Sequence, residues 1–344
     1  MGVLLFIGVL AAISFLIIVH EWGHFFAARR FKVLVQEFGF GFPPRLFSKT
    51  HGETKYSLNA LPLGGYVRLF GEHEIPEGAD EALRARSFTA QAIWKRVTII
   101  LAGITMNFLV GWFILSAVFM IGAPQGVLIR EILPGSPGAL AGFEPQDVIT
   151  GYPTIQSFID AMEKRAGSPV EIAIRRAGEA RAITVVPRTE IKEGEGRIGI
   201  AITEIGFPRE SVFQALKDGF MMAIWIAAMI FLTLYEIVQS LFGYAAPLGE
   251  ISGPVGIFRA AYNAGGLGII YVLELIGVIS INLAALNILP IPGLDGGRLL
   301  FLLIEKVRGV RIHPRREAMI HGIGVAALLV LIFLVTLRDL GKLF

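Results

Sequence analysis

Five long apolar stretches constrain the fold of this chain more than any other feature of its sequence. They cover about residues 3–28, 97–121, 219–242, 267–290 and 318–338. A membrane-spanning helix needs about 20 mostly apolar residues, so each stretch is long enough to cross a bilayer. The composition agrees, because 54% of the residues are hydrophobic, 17% are charged and the mean hydropathy is +0.65. The sequence therefore predicts a multi-span α-helical membrane protein.

The distribution of basic residues predicts the orientation of the spans. Residues 29–96 carry 11 Lys and Arg and residues 305–317 carry five, whereas none precedes the first stretch. Basic loops stay on the cytoplasmic side, so both regions are expected there, with residues 122–218 outside. The first stretch has no basic segment before it and is followed by Arg29 and Arg30, so we expect a retained span, not a cleaved signal peptide.

This orientation requires an odd number of crossings between residues 218 and 305, yet two apolar stretches lie there. The stretch 267–290 contains a single acidic residue, Glu274, and leads directly into the second basic loop. We therefore expect about four spans, with 219–242 lying along or dipping into the outer leaflet. The alternative is five spans with an inverted C-terminal half.

Residues 122–203 are predicted to form a small soluble α+β domain outside the membrane. The runs GVLIREIL, PVEIAIRR and ARAITVVPR are typical of strands, and IQSFIDAMEKRA has helical apolar spacing. Together with the turn-rich SPGALAG and DVI segments they resemble a PDZ domain, which binds an extended peptide as an added strand. Gln146 stands where PDZ domains commonly have Gly. A spacer that binds nothing is the alternative.

The cytoplasmic region 29–96 is more than a simple loop. The runs QEFGFGFPPRLF and TKYSLNALPLGGYVRLFGE mix alternating polarity with Gly and Pro, which predicts short strands in hairpins. Residues 72–90 are polar and are expected to form an exposed loop.

The strongest chemical signal is the run His20-Glu21-Trp22-Gly23-His24 near the end of the first span. Residues i and i+4 of a helix share one face, so two imidazoles can bind one Zn²⁺, with the intervening Glu as a general base. Three ionisable groups at membrane depth are costly unless they serve a function. The alternative is a coincidental interfacial cluster.

A catalytic zinc needs a third protein ligand. The chain has no Cys, which excludes a thiolate. Asp295 is the best candidate, because it follows a break of Pro and Gly residues at the same depth as His24. The alternative for Asp295 is an N-cap of a helix over 298–306. The remaining histidines lack a local motif and are expected to be solvated or interfacial; they are His51, His73, His313 and His321.

The HEWGH motif, the PDZ-like segment and the later NILPIPGLDGG motif together resemble the site-2 protease family, of the bacterial regulator of sigma-E protease type. The resemblance covers nearly the whole chain. It implies that His20, His24 and Asp295 bind Zn²⁺ and that Glu21 is the catalytic acid and base.

The resemblance also implies residues that hold the substrate. Asn287 matches a family asparagine that contacts the substrate chain, and Asn282 is a second candidate. The family's membrane-reentrant β-hairpin corresponds to residues 39–42 and 56–69, where Gly64 and Gly65 allow close backbone approach. An ordinary hairpin turn is the alternative for the two glycines, and an interhelical hydrogen bond is the alternative for Asn287. The run SGPVGI at 252–257 also resembles a family element.

The expected function is an intramembrane zinc endopeptidase that cleaves single-span membrane proteins, such as anti-sigma factors or remnant signal peptides. The implied location is the bacterial inner membrane, with the active site near the cytoplasmic face. A net charge of +3 gives no reason to expect nucleic acid as a partner. The alternatives are another zinc peptidase for quality control, a transporter and a non-catalytic PDZ-bearing scaffold. We divide the chain into residues 1–121, 122–203, 204–262 and 263–344.

Overall fold

The computed structural model describes residues 2–72, 75–76, 78–176, 178–191, 196–240 and 253–341. Within these ranges there are ten helices and seven strands. In chain order they are α1 (Gly2–Arg30), β1 (Val35–His51), β2 (Thr54–Leu69), α2 (Glu81–Ala85), α3 (Ile93–Ile121), β3 (Ala123–Ile132), α4 (Pro137–Ala141), β4 (Val148–Ile149), α5 (Ile155–Lys164), β5 (Val170–Arg176), β6 (Glu179–Val185), β7 (Ile200–Phe207), α6 (Val212–Ser240), α7 (Pro254–Leu267), α8 (Ile269–Asn287), α9 (Asp295–Arg308) and α10 (Pro314–Gly341).

Five helices of the described residues are long and apolar enough to cross a membrane: α1, α3, α6, α8 and α10. Each coincides with one of the five apolar stretches, so the multi-span helical architecture is confirmed. Helix α6 satisfies the same criteria as the other four, so the expected count of four spans stays a prediction. Residues 241 and 242 of the stretch 219–242 lie outside the described residues.

One compact unit comprises Met1–Leu115, Gly219–Ala261 and Leu275–Phe344. Its helices approach closely where glycine leaves room. A Cβ on Gly23 of α1 would overlap the backbone of α3 at Ala102, and one on Gly111 of α3 would overlap Ile281 of α8. Small residues at such crossings let helices pack in a membrane, where water supplies no hydrophobic drive between them.

Strands β1 and β2 form a two-stranded antiparallel sheet in the same unit. Both strands are long and bent, so the start of β1 lies between two segments of β2: Phe38 pairs with Val67 on one side and with Tyr56 on the other. Buried Glu37 braces this sheet, because it accepts hydrogen bonds from Ser57 and from Tyr66 at 3.0 Å. Residues 65–69 therefore form an outer edge of the sheet, as far as the described strands show.

The second unit comprises Ser116–Asp218 and Tyr262–Glu274. It holds a five-stranded antiparallel sheet in the order β6-β5-β4-β3-β7, packed on α5 around Phe158 and Met162. The three predicted strands are present as β3, β5 and β6, and the predicted helix is α5. Strand β7 was not anticipated and extends past residue 203. The PDZ assignment and the four domain boundaries stay predictions.

Gln146, the position where PDZ domains commonly have Gly, has a φ of +77°. A left-handed backbone favours Gly because an L side chain is strained there, so the conformation is the one Gly would adopt readily.

Candidate functional site

Helix α1 places the two histidines of the HEWGH motif on one face, one turn apart. The Nε2 atoms of His20 and His24 lie 3.1 Å from each other, and the rings meet edge to face. Both imidazoles are largely withdrawn from solvent, with 10% and 12% of their side-chain surfaces exposed. The helical spacing in the sequence predicted this convergence.

Asp295, the first residue of α9, meets both histidines. Its Oδ2 atom lies 3.0 Å from His20 Nε2 and 3.1 Å from His24 Nε2. The alternative of an N-cap is wrong, because the N-cap residue is Leu294 and no side chain makes the capping hydrogen bond. From the sequence, Asp295 is expected at the depth of His24, and the structure brings it within contact of residues more than 270 positions earlier in the chain.

The loop before α9 is held in place by main-chain packing and by a histidine that sequence reasoning did not select. Gly296 and Gly297 sit against the carbonyl groups of residues 288, 289 and 291, where a Cβ would not fit. His321 of α10 accepts a hydrogen bond from Gly293 N at 2.9 Å. These contacts fix where Asp295 enters the cluster.

The three ligand atoms fit a zinc ion. Two imidazole nitrogens and one carboxylate oxygen lie within 4.8 Å of one another, and the buried Asp295 Oδ2 has no hydrogen-bond partner besides these two nitrogens. Tetrahedral zinc at about 2.0–2.2 Å from its ligands keeps those ligands about 3.3–3.6 Å apart, so this triangle needs to open by only a few tenths of an ångström. This is the only such group of His, Asp and Glu in the part of the chain that the structure describes.

Helix α3 contacts both imidazoles. The Nδ1 atom of His24 lies 2.9 Å from the carbonyl oxygen of Ile99, which can only accept a hydrogen bond. His24 therefore carries its proton on Nδ1 and keeps Nε2 free to bind a metal. One turn further along α3, Gly103 leaves no room for a Cβ beside the two rings. Two turns further, the Asn107 side chain lies 3.4 Å from Nδ1 of His20.

Glu21 lies between the histidines and the sheet edge. A Cβ on Gly65 would come within 2.9 Å of Glu21 Cγ, so strand β2 runs directly against this side chain. A cavity of about 400 Å³ is lined by the three candidate ligands, by Glu21 and by residues 65–67 of β2. Gly64, with a φ of +137°, has a backbone conformation that other residues rarely adopt.

Two ion pairs that the sequence did not reveal connect segments that line the cavity. Arg96 of α3 binds Glu305 of α9 through two hydrogen bonds of 2.9 and 2.5 Å. Arg298 of α9 lies 2.6 Å from Glu72, just after β2. All four residues line the cavity. No local sequence pattern marks any of the four as the partner of another.

The remaining sequence candidates do not join the cluster. Asn287 and Asn282 are half-buried on α8 and are not among the residues that line the cavity. His51 and His313 are exposed, and His73 lies outside the described residues. The roles of Asn287 and Asn282 in substrate binding stay predictions.

Comparison with known proteins identifies the family. The model of peptidase family M50 matches residues 8–331 of the 344. The zinc metalloprotease RasP of Shouchella clausii is 31% identical over 97% of this chain and 98% of its own length. A putative zinc metalloprotease of Rhizobium meliloti is 32% identical over 96% of this chain and 95% of its own length. The regulator of sigma-W protease RasP of Bacillus subtilis is 28% identical over 96% of each chain.

The family match spans both the HEWGH motif and the LDGG motif, and the nearly full coverage of the relatives leaves no large part of the chain outside it. The chain belongs to peptidase family M50, the site-2 protease family, and is a zinc metalloprotease.

Proposed function

We propose that this chain is an intramembrane endopeptidase that cleaves the transmembrane segments of single-span proteins, with His20, His24 and Asp295 as zinc ligands. The observation that carries the proposal is the convergence of three ligand atoms beside Glu21. The two histidines and Glu21 lie in the second half of α1, a helix long enough to span a bilayer. Hydrolysis at that depth needs access to water, which the cavity and its polar lining supply.

When bound, zinc would act as a Lewis acid that lowers the pKa of water and polarises a carbonyl group. The residues of the chain do the rest. His20, His24 and Asp295 would hold the ion beside the cavity. Glu21 takes the proton from the attacking water and later delivers it to the leaving amine.

The outer edge of the sheet at residues 65–69 is the proposed binding site for the substrate backbone. This segment pairs with β1 on one side, while its residues 65–67 line the cavity beside Glu21. A transmembrane helix buries its peptide groups in internal hydrogen bonds, so it must unwind before cleavage. An unpaired strand edge can replace those bonds by main-chain pairing with the extended segment. Gly65 lets that segment lie close to Glu21.

Asn287 and Asn282 are proposed to hold the substrate chain near the end of α8. The amide of Asn287 would donate a hydrogen bond to the substrate or to the developing oxyanion. Replacement of Asn287 by Leu is expected to raise KM or lower kcat without changing the zinc content of the protein.

The proposed setting is the bacterial inner membrane, with the active site near the cytoplasmic face and the domain 122–203 outside. The predicted PDZ-like domain would act as a size filter that admits substrates already trimmed on the outside. Anti-sigma factors and remnant signal peptides have this form.

A matched pair of variants tests the proposal. The purified chain in detergent is incubated with a single-span model protein whose helix contains Gly and Asn, and fragments are identified by mass spectrometry. Glu21→Gln should keep one zinc per chain and lose cleavage, whereas Glu274→Gln, which changes a glutamate of an apolar helix that does not line the cavity, should keep both. Cleavage by Glu21→Gln at the wild-type rate would refute the role of Glu21.

The zinc ligands are tested separately by metal analysis. Wild type should carry one zinc per chain and Asp295→Ala should carry none. Zinc retained by Asp295→Ala would remove Asp295 from the ligand set.

The alternative, a quality-control peptidase acting on unfolded soluble segments, predicts a different preference. Such an enzyme would cleave casein faster than the single-span protein. Some zinc peptidases of this second kind take their third ligand from a Glu on a helix. The group of candidate ligands in the described residues contains Asp295 and no Glu, which argues against such an enzyme.

A further inference from the structure

Buried Asn107 of α3 has no role in the mechanism above, yet its side chain ends beside one of the proposed zinc ligands. Only 1% of its surface is exposed. Its Nδ2 lies 3.4 Å from His20 Nδ1, and its Oδ1 is buried with no hydrogen-bond partner. An unpaired amide oxygen at this depth costs free energy, so its position calls for a physical explanation.

The orientation of the amide conflicts with metal binding by His20. If Nδ2 donates to Nδ1 of His20, then Nδ1 has no proton, and a neutral ring must carry its proton on Nε2. That proton would occupy the nitrogen that faces Asp295 and His24 at 3.0 and 3.1 Å. His24 shows the opposite arrangement, since the carbonyl of Ile99 keeps its proton on Nδ1.

Rotation of the Asn107 amide group by 180° removes both the unpaired oxygen and the conflict with metal binding. The oxygen and nitrogen atoms of an amide are nearly the same size, so the rotated group fits the same space. Oδ1 then accepts the Nδ1 proton of His20, the buried oxygen gains its partner, and Nε2 of His20 is free for zinc. The backbone of Asn107 is held independently, because Ser280 Oγ donates to its carbonyl oxygen at 2.7 Å.

We propose that Asn107 is a positioning residue for the metal site: its amide oxygen accepts the Nδ1 proton of His20 and thereby presents Nε2 of His20 to zinc. This inference rests on the proposed zinc ligation by His20, His24 and Asp295. Asn107 touches neither metal nor substrate and acts through His20. Partners of this kind fix the tautomer and orientation of metal-binding histidines.

The test measures zinc affinity directly, with zinc itself as the probe and a chromophoric chelator as competitor, on full-length protein in detergent. Asn107→Leu keeps the size of the side chain and removes the acceptor, so the Kd for zinc should rise about 10- to 100-fold. Asn107→Asp keeps an acceptor and removes the donor, so its Kd should stay within about threefold of wild type.

Ser280→Ala is the matched control. It removes a buried hydrogen bond to the same residue but leaves the amide in place, so it should lower thermal stability without changing the Kd for zinc. A purely structural role of Asn107 predicts that Asn107→Leu and Ser280→Ala both destabilise the zinc-free protein while binding zinc like wild type.

The outcomes separate this inference from the proposed function. An unchanged Kd in Asn107→Leu would overturn the inference, and so would equal weakening in Asn107→Asp, because the nitrogen would then be the group that matters. If Asn107→Leu does not fold, Asn107→Ala takes its place, with the same expected rise in the Kd for zinc and the same refutation by an unchanged Kd. Failure of the proposed ligand set would appear elsewhere, as zinc retained by Asp295→Ala or absent from wild type.

Discussion

Replacement of Gly103 by Ala should greatly weaken zinc binding, while it lowers the free energy of unfolding little more than an ordinary packing defect does. An ideal Cβ at this position would lie 3.0 Å from His20 Cε1 and closer still to His24 Nε2, whereas ordinary contacts begin at 3.4 Å. The imidazole of His24 must therefore retreat by about 1 Å, since neither the Cβ nor the helix backbone can yield.

That displacement is large compared with the tolerance of a zinc site. Metal-to-ligand distances hold to within about 0.2 Å, so a shift of about 1 Å removes a ligand altogether. We expect the Kd for zinc to rise at least about 100-fold, or about 2.7 kcal/mol. The overpacking itself should cost about 1–3 kcal/mol of unfolding free energy.

The same helix offers a matched control. In Gly111→Ala the added Cβ would lie 2.6 Å from Ile281 Cδ1, which is a comparable clash on α3 but two turns from Gly103 and against α8 instead of the histidines. Both variants should lose similar thermal stability in the zinc-free state, and only Gly103→Ala should lose zinc in the chelator competition. Equal zinc affinity in the two variants would refute the idea that α3 sets the position of the imidazoles.

Two further predictions concern charged groups around the cavity. Arg96→Leu should lower the free energy of unfolding by about 3 kcal/mol in a denaturant titration, because it leaves Glu305 largely buried without its partner. The double variant Arg96→Leu/Glu305→Leu should recover most of this loss, and no recovery would contradict an ion-pair origin. Burial alone would raise the pKa of Glu37, but hydrogen bonds from Ser57 and Tyr66 and the charges of Arg45 and Arg68 lower it below the usual 4.5. The stability due to the Glu37 carboxylate should therefore be complete above pH 4.5 and be lost as the pH falls further, whereas Glu37→Gln should flatten that part of the stability profile.

The parts of this fold that the sequence predicts are those encoded by local pattern. Hydropathy alone located all five long helices, because a span needs a continuous apolar run. The i, i+4 spacing of His20 and His24 predicted a shared helix face, and the structure places their Nε2 atoms 3.1 Å apart. Asp295 required a combined argument, since only its depth and the need for a third ligand connected it with α1.

The parts that sequence reasoning missed depend on contacts between distant segments. Arg96 and Glu305 are 209 positions apart, and nothing local marks either as the partner of the other. The sheet was predicted as short hairpins, whereas β1 and β2 are long strands bent so that the start of β1 pairs with β2 along both of its edges. Bends of this kind arise from register shifts along the pair, which no periodic pattern specifies.

Helix α3 illustrates why a metal site can be larger than its sequence motif. Three positions one turn apart, Ile99, Gly103 and Asn107, face the two histidines, and each acts through a different chemical feature. Ile99 offers a main-chain carbonyl, which every residue type would supply. Gly103 offers the absence of a side chain, and Asn107 alone offers a side-chain group. Two of the three contributions therefore do not depend on a functional group of a side chain. They depend on how α1 and α3 cross, so changes in the packing of these helices should be measurable as changes in zinc affinity.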